Sequence, residues 1–339
     1  MKKQRFDVAV VGATGAVGRE MLSILAERSF PVGKLRAMAS HRSAGRTIEA
    51  GDQTVIVEDL EEADFSGVDF ALFSAGSGVS KRHAQRAVDA GALVIDNTSA
   101  FRMQPEVPLV VPEVNPDAAR EHQGIIANPN CSTIQMVVAL KPLADQFGLK
   151  RVVVSTYQSA SGAGQSGVTE LMEGVRAHVA GEQEAVASTF AHPLAFEALP
   201  HIDVFDESGY TREELKMILE TQKILDHPSL DISATCVRVP VVRCHSEAVT
   251  VDLDASVDVE EVQQLWRQSP GVEVLDDPQA AKYPLSRPAT GTDPCWVGRI
   301  RRDVHRPQTL HFWVVSDNLR KGAALNAVQI AESFVEDYS

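Results

Sequence analysis

The sequence predicts an α/β chain of two units: an N-terminal Rossmann-type parallel-sheet domain, then an α+β domain on a mixed sheet. Three observations carry this. A glycine-punctuated strand-to-helix junction, Gly12-Ala-Thr-Gly15-Ala-Val-Gly18, stands near the start of the chain. Short apolar strands then alternate with helical stretches as far as residue 130, the pattern of a parallel sheet covered on both faces. Beyond Cys131 the strand-like runs and their connections lengthen, which favours mixed or antiparallel pairing.

Residues 6–11 form a continuous apolar strand, and residues 16–25 an amphipathic helix. Short strands are expected at 35–39, 55–57, 70–73, 93–95 and 125–127, with a helix over 81–90. A helix over 132–147 opens the second unit, and strands follow at 151–157, 232–240, 248–253 and 310–316. Residues 320–335 have the periodicity of a strong amphipathic helix that folds back onto the first unit. The expected domains are therefore 1–130 completed by 318–339, and 131–317.

Composition narrows the function classes. The net charge of −14 argues against a broad nucleic-acid or anionic-membrane surface, so any anion site must be a local basic pocket. No apolar run approaches the length of a membrane span, and Met1-Lys-Lys-Gln-Arg5 leads into a strand with no signal-peptide core. The cysteines Cys131, Cys236, Cys244 and Cys295 are scattered, with no C-x-x-C pair. That spacing speaks against a metal cage or disulfide framework and fits a reducing cytoplasm.

In the glycine motif, Gly12, Thr14, Gly15, Ala16 and Val17 are candidates to hold a dinucleotide pyrophosphate at a helix N-terminus. A tight turn alone would also select glycine. After the second strand, where an NAD site places an acid, the chain has Ser40-His41-Arg42-Ser43. A guanidinium between hydroxyls suits a 2′-phosphate, which favours NADP; the alternative is a polar surface turn. The loop starting at Ser74 is expected against the cofactor.

Asn128-Pro-Asn-Cys131-Ser-Thr-Ile sets a cysteine between a turn and an apolar helical run. The helix dipole and unpaired N–H groups there favour a thiolate, whereas a lone cysteine is otherwise a small buried hydrophobe. A thiol, a redox cofactor and a downstream base together suggest aldehyde oxidation through a thioester.

These motifs, with Tyr157-Gln158-Ser-Ala-Ser-Gly162-Ala-Gly164, Glu220-Thr-Gln-Lys223-Ile-Leu and Arg238-Val-Pro-Val followed by His245, form an ordered set. The set resembles the aspartate-semialdehyde dehydrogenase family from first strand to last helix, in the branch typified by Gram-positive enzymes. The resemblance implies a glyceraldehyde-phosphate-dehydrogenase-like architecture and a homodimer or dimer of dimers. It also implies reversible NADPH-dependent conversion of L-4-aspartyl phosphate to L-aspartate 4-semialdehyde and phosphate, in lysine, threonine and methionine biosynthesis. Cys131 is then the nucleophile, His245 the general acid/base titrating near working pH, and Gln158 the residue orienting the intermediate. Arg238 would clamp the α-carboxylate bidentately and Glu220 would pair with the α-ammonium. Arg102, Asn130 and Lys223 would take the phosphoryl group. Lys216 shares a helix face with Glu220 and Lys223 and is a further substrate-binding candidate, the alternative being an exposed salt bridge. Ser161 and Gly162 would let the nicotinamide approach, and Asn318 would bond its carboxamide or merely cap the last helix.

Competing readings fit less well. N-acetyl-glutamyl-phosphate reductase usually sets its cysteine in Pro-Gly-Cys-Tyr, and a glyceraldehyde-phosphate-type enzyme in Ser-Cys-Thr-Thr-Asn. A silent paralogue kept as a binding protein would be expected to lose Cys131, Gln158 or His245, all present here.

Overall fold

The computed structural model describes residues 4–182 and 187–338. Residues 1–3 and 339, at the ends of the two terminal segments expected above, lie outside the described residues. The chain forms two compact units, Met1–Asn130 with Ala323–Ser339, and Cys131–Gly322.

The first unit runs β1 (Phe6–Val11), α1 (Ala16–Glu27), β2 (Val32–Ala39), β3 (Thr47–Ala50), β4 (Gln53–Asp59), β5 (Phe70–Phe73), α2 (Ser77–Asp89), β6 (Leu93–Asp96) and β7 (Ile125–Ala127). Its seven strands lie in the order β3-β4-β2-β1-β5-β6-β7. All pair in parallel except β3, which runs antiparallel to β4. That hairpin departs from the all-parallel expectation. It turns on Gly51-Asp52, where Gly51 adopts φ +60°, as a two-residue hairpin loop requires.

Strand β1 is apolar throughout because both faces are covered. Val8 and Val10 join Leu22 and Leu25 of α1, while Ala9 and Val11 join Ala84 and Ala87 of α2. The direction of the chain reverses at β1: β2 lies on one side and β5 on the other. Loops after β1 and β5 therefore flank the switch point where such sheets take ligands.

The second unit runs α3 (Cys131–Phe147), β8 (Leu149–Gln158), α4 (Gly164–Ala180), α5 (Arg212–Ile224), β9 (Asp231–Arg238), β10 (His245–Leu253), α6 (Val259–Gln268), β11 (Val272–Val274), α7 (Ser286–Ala289), β12 (Cys295–Arg302) and β13 (Thr309–Ser316). Its sheet order, β11-β12-β13-β10-β8-β9, mixes parallel and antiparallel pairs. Strand β12 escaped the sequence reading because a bulge near Gly298, with Arg299 at φ +53°, breaks its alternation. Helix α3 covers one face of the sheet. Trp266 of α6 stacks edge-on against Phe312, ring centroids 5.0 Å apart, and its indole N–H donates to the Ala139 carbonyl at 2.9 Å. The opposite face is partly open and carries Tyr157 against Trp313, centroids 5.3 Å apart.

Helix α8 (Leu325–Tyr338) belongs to the first unit, where Val328 and Ala331 pack with α1. The expected continuous helix over 320–335 instead opens with a π turn, Arg320–Ala324. In that turn the Gly322 N–H donates to the Asp317 carbonyl at 3.1 Å.

Candidate active site

Strand register gathers the candidates at one end of the second sheet. Gln158, the last residue of β8, pairs with Arg238, the last of β9, so their side chains project to the same face. Strand β10 begins at His245, and its next residue, Ser246, sits opposite Tyr157. Cys131 is the first residue of α3, at the positive end of the helix dipole. It is half-buried, whereas Cys236, Cys244 and Cys295 are fully buried. Gly322 backs it: a Cβ there would stand 2.9 Å from the Cys131 Cβ.

His245 is fully buried. Its Nδ1 accepts the Ser159 backbone N–H at 3.0 Å, and the Ser159 hydroxyl lies 3.1 Å away. Burial first, then the Arg238 charge, depresses its pKa to about 3, against a weaker opposing pull from Glu213. Burial and the neighbouring guanidinium thus both disfavour the imidazolium here, against the expectation of a group titrating near working pH. The Ser159 hydroxyl continues into a network with the Ser161 hydroxyl at 3.0 Å and the Asn318 Oδ1 at 3.3 Å. Asn318 Oδ1 also accepts from Ser161 at 3.1 Å and from the Cys244 N–H at 2.9 Å. Asn318 therefore does not cap the last helical segment. Asp317 does, accepting from the Leu319 N–H at 3.0 Å and the Arg320 N–H at 3.4 Å.

Arg238 is buried and donates through Nη1 to the Ser159 carbonyl at 2.7 Å, with its guanidinium 5.8 Å from the Phe190 ring centroid. Burial lowers its pKa, while Glu213 and then Cys131 raise it, so all three share one electrostatic neighbourhood. The exposed Gly162 opens onto this group. A Cβ there would meet Arg238 Nη1 at 2.7 Å and the His245 Cε1 and Nε2 at 3.1 Å.

Glu213, which sequence reasoning missed, accepts from the Gln158 amide at 3.2 Å and from Lys216 at 3.1 Å. The spacing of Glu213, Lys216 and Glu220 puts all three on one face of α5, the signal that could have found it. Lys216 is also held by Asp203 at 2.8 Å; burial disfavours its charge, but Glu213 and Asp203 outweigh that and raise its pKa. Lys216 thus stands between two carboxylates, on the same face of α5 as Glu220. Glu220 is buried on the same helix and Lys223 half-buried. Glu247, also missed, is buried two residues along β10 from His245.

In the first unit the glycine motif makes the turn from β1 to α1. Gly12 has φ +88°, and a Cβ there would lie 2.9 Å from the Ala75 nitrogen; a Cβ at Gly18 would lie 2.2 Å from the Gly12 carbonyl oxygen. Gly15 is the exposed N-cap of α1, followed by half-buried Ala16 and Val17, and the Thr14 carbonyl accepts from Arg19 at 3.1 Å. Ser74 follows β5 and bonds back to the Val11 carbonyl. Ser40 and exposed Arg42 follow β2, with Ser43 half-buried. Asp59, at the end of β4, is engaged by His41 at 2.7 Å. Arg102 is buried, its guanidinium donating to the Asn128 carbonyl at 2.9 Å and the Asn97 carbonyl at 3.0 Å, and Asn130 is buried immediately before α3. Among the described residues no cluster could hold a metal ion, and no helix is long and apolar enough to cross a membrane.

Residues 7–122 match the family described as semialdehyde dehydrogenase, NAD binding domain, and residues 140–321 the semialdehyde dehydrogenase, dimerisation domain. The chain is 51% identical to an aspartate-semialdehyde dehydrogenase of Aquifex aeolicus, over 98% of each chain, and 50% identical to that of Bacillus subtilis, over 96% of each. A crystal structure of aspartate semialdehyde dehydrogenase II from Vibrio cholerae, complexed with ASA, superposes with a TM-score of 0.96 at 49% identity, covering 99% of this chain and 100% of that one. A Candida albicans aspartate semialdehyde dehydrogenase with NADP gives a TM-score of 0.76 at 26% identity, covering 97% and 98%. With both units matched in order and the same fold throughout, the chain belongs to the aspartate-semialdehyde dehydrogenase family.

Proposed function

We propose that this protein catalyses the reversible, NADPH-dependent reductive dephosphorylation of L-4-aspartyl phosphate to L-aspartate 4-semialdehyde, in the biosynthesis of lysine, threonine and methionine. One convergence carries this reading: Arg238 and His245 meet at the missing side chain of Gly162, Gln158 pairs in register with Arg238, and Cys131 lies within electrostatic reach of Arg238. The ligand in the Vibrio cholerae relative supports the substrate, and the Candida albicans relative supports the cofactor.

The residues of the β1–α1 turn fit a dinucleotide: Gly12 and Gly18 leave the backbone bare where a Cβ could not stand. In the first unit, Gly12, Thr14, Gly15, Ala16, Val17 and Ser74 would hold the pyrophosphate; in the second unit, Ser161, Gly162 and Asn318 are the residues suited to the nicotinamide. Ser40, Arg42 and Ser43 would take the 2′-phosphate and give the NADP preference. NADP supplies hydride transfer when bound.

The chain's own residues do the rest. The Cys131 thiolate attacks the acyl carbon, the bond to phosphate breaks, and the acyl group stays on sulfur as a thioester. Arg102, Asn130 and Lys223 hold the departing phosphate, Arg238 the α-carboxylate and Glu220 the α-ammonium. Gln158, steadied by Glu213, orients the acyl group, and His245 bonds its oxygen. The match to a dimerisation domain, with the open sheet face around Tyr157 and Trp313, supports a homodimer or a dimer of dimers. The scattered cysteines, none joined in a disulfide, support a cytoplasmic setting.

The test is phosphate-dependent NADPH formation from aspartate semialdehyde, beside N-acetyl-glutamate semialdehyde. Turnover of the first alone is expected; preference for the second, or no need for phosphate, would overturn the assignment.

A further inference from the structure

We propose that Phe190 and Glu170 are positioning residues for recognition of the substrate's α-carboxylate: Phe190 sets the plane of the Arg238 guanidinium, and Glu170 anchors the segment that carries Phe190. This rests on the function proposed above, which gives Arg238 the α-carboxylate.

The segment over residues 187–199 is tied to Arg238 at two points. Leu199 pairs with Arg238 itself, each backbone N–H donating to the other's carbonyl at 2.8 Å. Nearer its start, Phe190 puts its ring against the guanidinium. Arg238 Cζ lies over that ring, 5.8 Å from the centroid, within the range of a cation–π contact. Between these points Leu194 and Ala195 are buried with Leu171 of α4.

Helix α4 receives this segment on a bare face. Gly167 and Gly174 stand about two turns apart on it. A Cβ on Gly167 would lie 2.6 Å from the Ala160 carbonyl oxygen and 2.9 Å from Phe190 Cζ, and one on Gly174 would lie 3.0 Å from the Ala195 Cβ. Glu170, between the two glycines, makes the attachment. Its Oε2 accepts from the Ser188 N–H at 3.0 Å, the Ser188 hydroxyl at 2.9 Å and the Thr189 N–H at 2.7 Å. Two of these donors are backbone, so the carboxylate fixes the chain immediately before Phe190 and with it the direction of the ring. Bonds to an ionised acceptor are the stronger class.

The guanidinium needs such a support. A carboxylate bound bidentately must lie in the guanidinium plane, because the paired N–H groups do. The Ser159 carbonyl, at 2.7 Å from Nη1, fixes one corner of the fork but not its tilt. A ring across one face fixes the tilt and leaves the Nε–Nη2 edge to meet the substrate. Burial opposes the charge on Arg238. An acid in place of Phe190 would relieve that but would compete with the substrate carboxylate, whereas the negative π face offsets part of it without accepting an N–H of the fork.

NMR of arginine labelled with nitrogen-15 reads the contact without turnover, with Arg238 assigned by signal loss in Arg238→Lys. The ring current should move the Arg238 guanidinium N–H signals upfield, and Phe190→Ala and Glu170→Ala should each abolish that shift. Unshifted wild-type signals, or a shift that survives in Glu170→Ala, would overturn the proposal. Kinetics supply the second arm. Phe190→Ala should raise the KM for aspartate semialdehyde about tenfold and the KM for phosphate by less than about threefold. Phe190→Tyr keeps the π face and should restore the wild-type value, whereas Phe190→Leu fills the volume without one and should not. Glu170→Ala should reproduce Phe190→Ala, and the double variant should be no worse than Phe190→Ala alone, because both changes remove one contact. Additive losses, an equal rise in both Michaelis constants, or a wild-type KM in Phe190→Leu would overturn the proposal. A wild-type protein that does not turn over aspartate semialdehyde but shows the shifted Arg238 signals would instead sink the proposed function and leave the placement of Arg238 by Phe190 standing.

Discussion

Gly162→Ala adds one methyl group where the candidate site is tightest. The new Cβ would lie 2.7 Å from Arg238 Nη1 and 3.1 Å from two atoms of the His245 ring. Carbon contacts relax near 3.5–4.0 Å, so the guanidinium must retreat by about 0.8–1 Å and the imidazole by about half that. Neither retreat is free. Arg238 is buried and bonded to the Ser159 carbonyl at 2.7 Å, and the ring is held by the Ser159 N–H at 3.0 Å. A displacement of about 1 Å in a positioning group costs on the order of 10²-fold. We therefore expect kcat/KM for aspartate semialdehyde to fall about 100-fold. NADP affinity measured by fluorescence titration should fall by less than kcat/KM, because the added methyl group meets only the nicotinamide end and the glycine turn of the first unit is untouched. Overpacking at an exposed glycine should cost about 1 kcal/mol or less of stability, the low end for such insertions. Activity within threefold of wild type would show that Arg238 and His245 need not hold these positions. A collapse of the melting temperature would show that Gly162 is structural.

The remaining predictions concern the thiols, cofactor choice and a buried acid. Cys131→Ala should abolish phosphate-dependent turnover while NADP binding survives. Alkylation of the native protein, followed by mass spectrometry, should strike Cys131 ahead of Cys236, whose pKa burial pushes far up, and Cys244, pushed by burial up to about 12; earlier labelling of either buried thiol would refute this. Arg42→Ala should raise the KM for NADP at least tenfold, the equivalent of losing about 1.5–3 kcal/mol of a charge-assisted contact, with NAD nearly unaffected; an equal effect on both cofactors would make Arg42 structural. Burial drives the Glu247 carboxyl well above its ordinary range, with Gln135 opposing weakly. The folded state thus binds this proton more tightly than the unfolded chain, and stability falls as pH rises above the unfolded value near 4.3. By pH 7 that term costs at most about 4 kcal/mol. Glu247→Gln should accordingly raise the melting temperature more at pH 8 than at pH 5, and a gap that stays constant with pH would contradict the assignment.

By itself the sequence determined what depends on near neighbours. The glycines of the β1–α1 turn, the strand covered on both faces and the cysteine at a helix start follow from steric demands and periodicity within about twenty residues. The ordered motifs were enough for the family. Tertiary structure alone decided how those residues face one another. Ser159 meets His245 across 86 positions of chain, and Glu213 meets Gln158 across 55. Gly322 backs Cys131, and Asn318 turns from the helix end toward Ser161 while Asp317 takes the cap. The β3–β4 hairpin was likewise invisible, being short, half-exposed and closed by a two-residue loop. The physical reason is common to all of these. Register between strands and the docking of α3 and α5 on the sheet bring distant polar atoms within 3 Å or so, and local periodicity says which face a side chain takes but not which partner waits there.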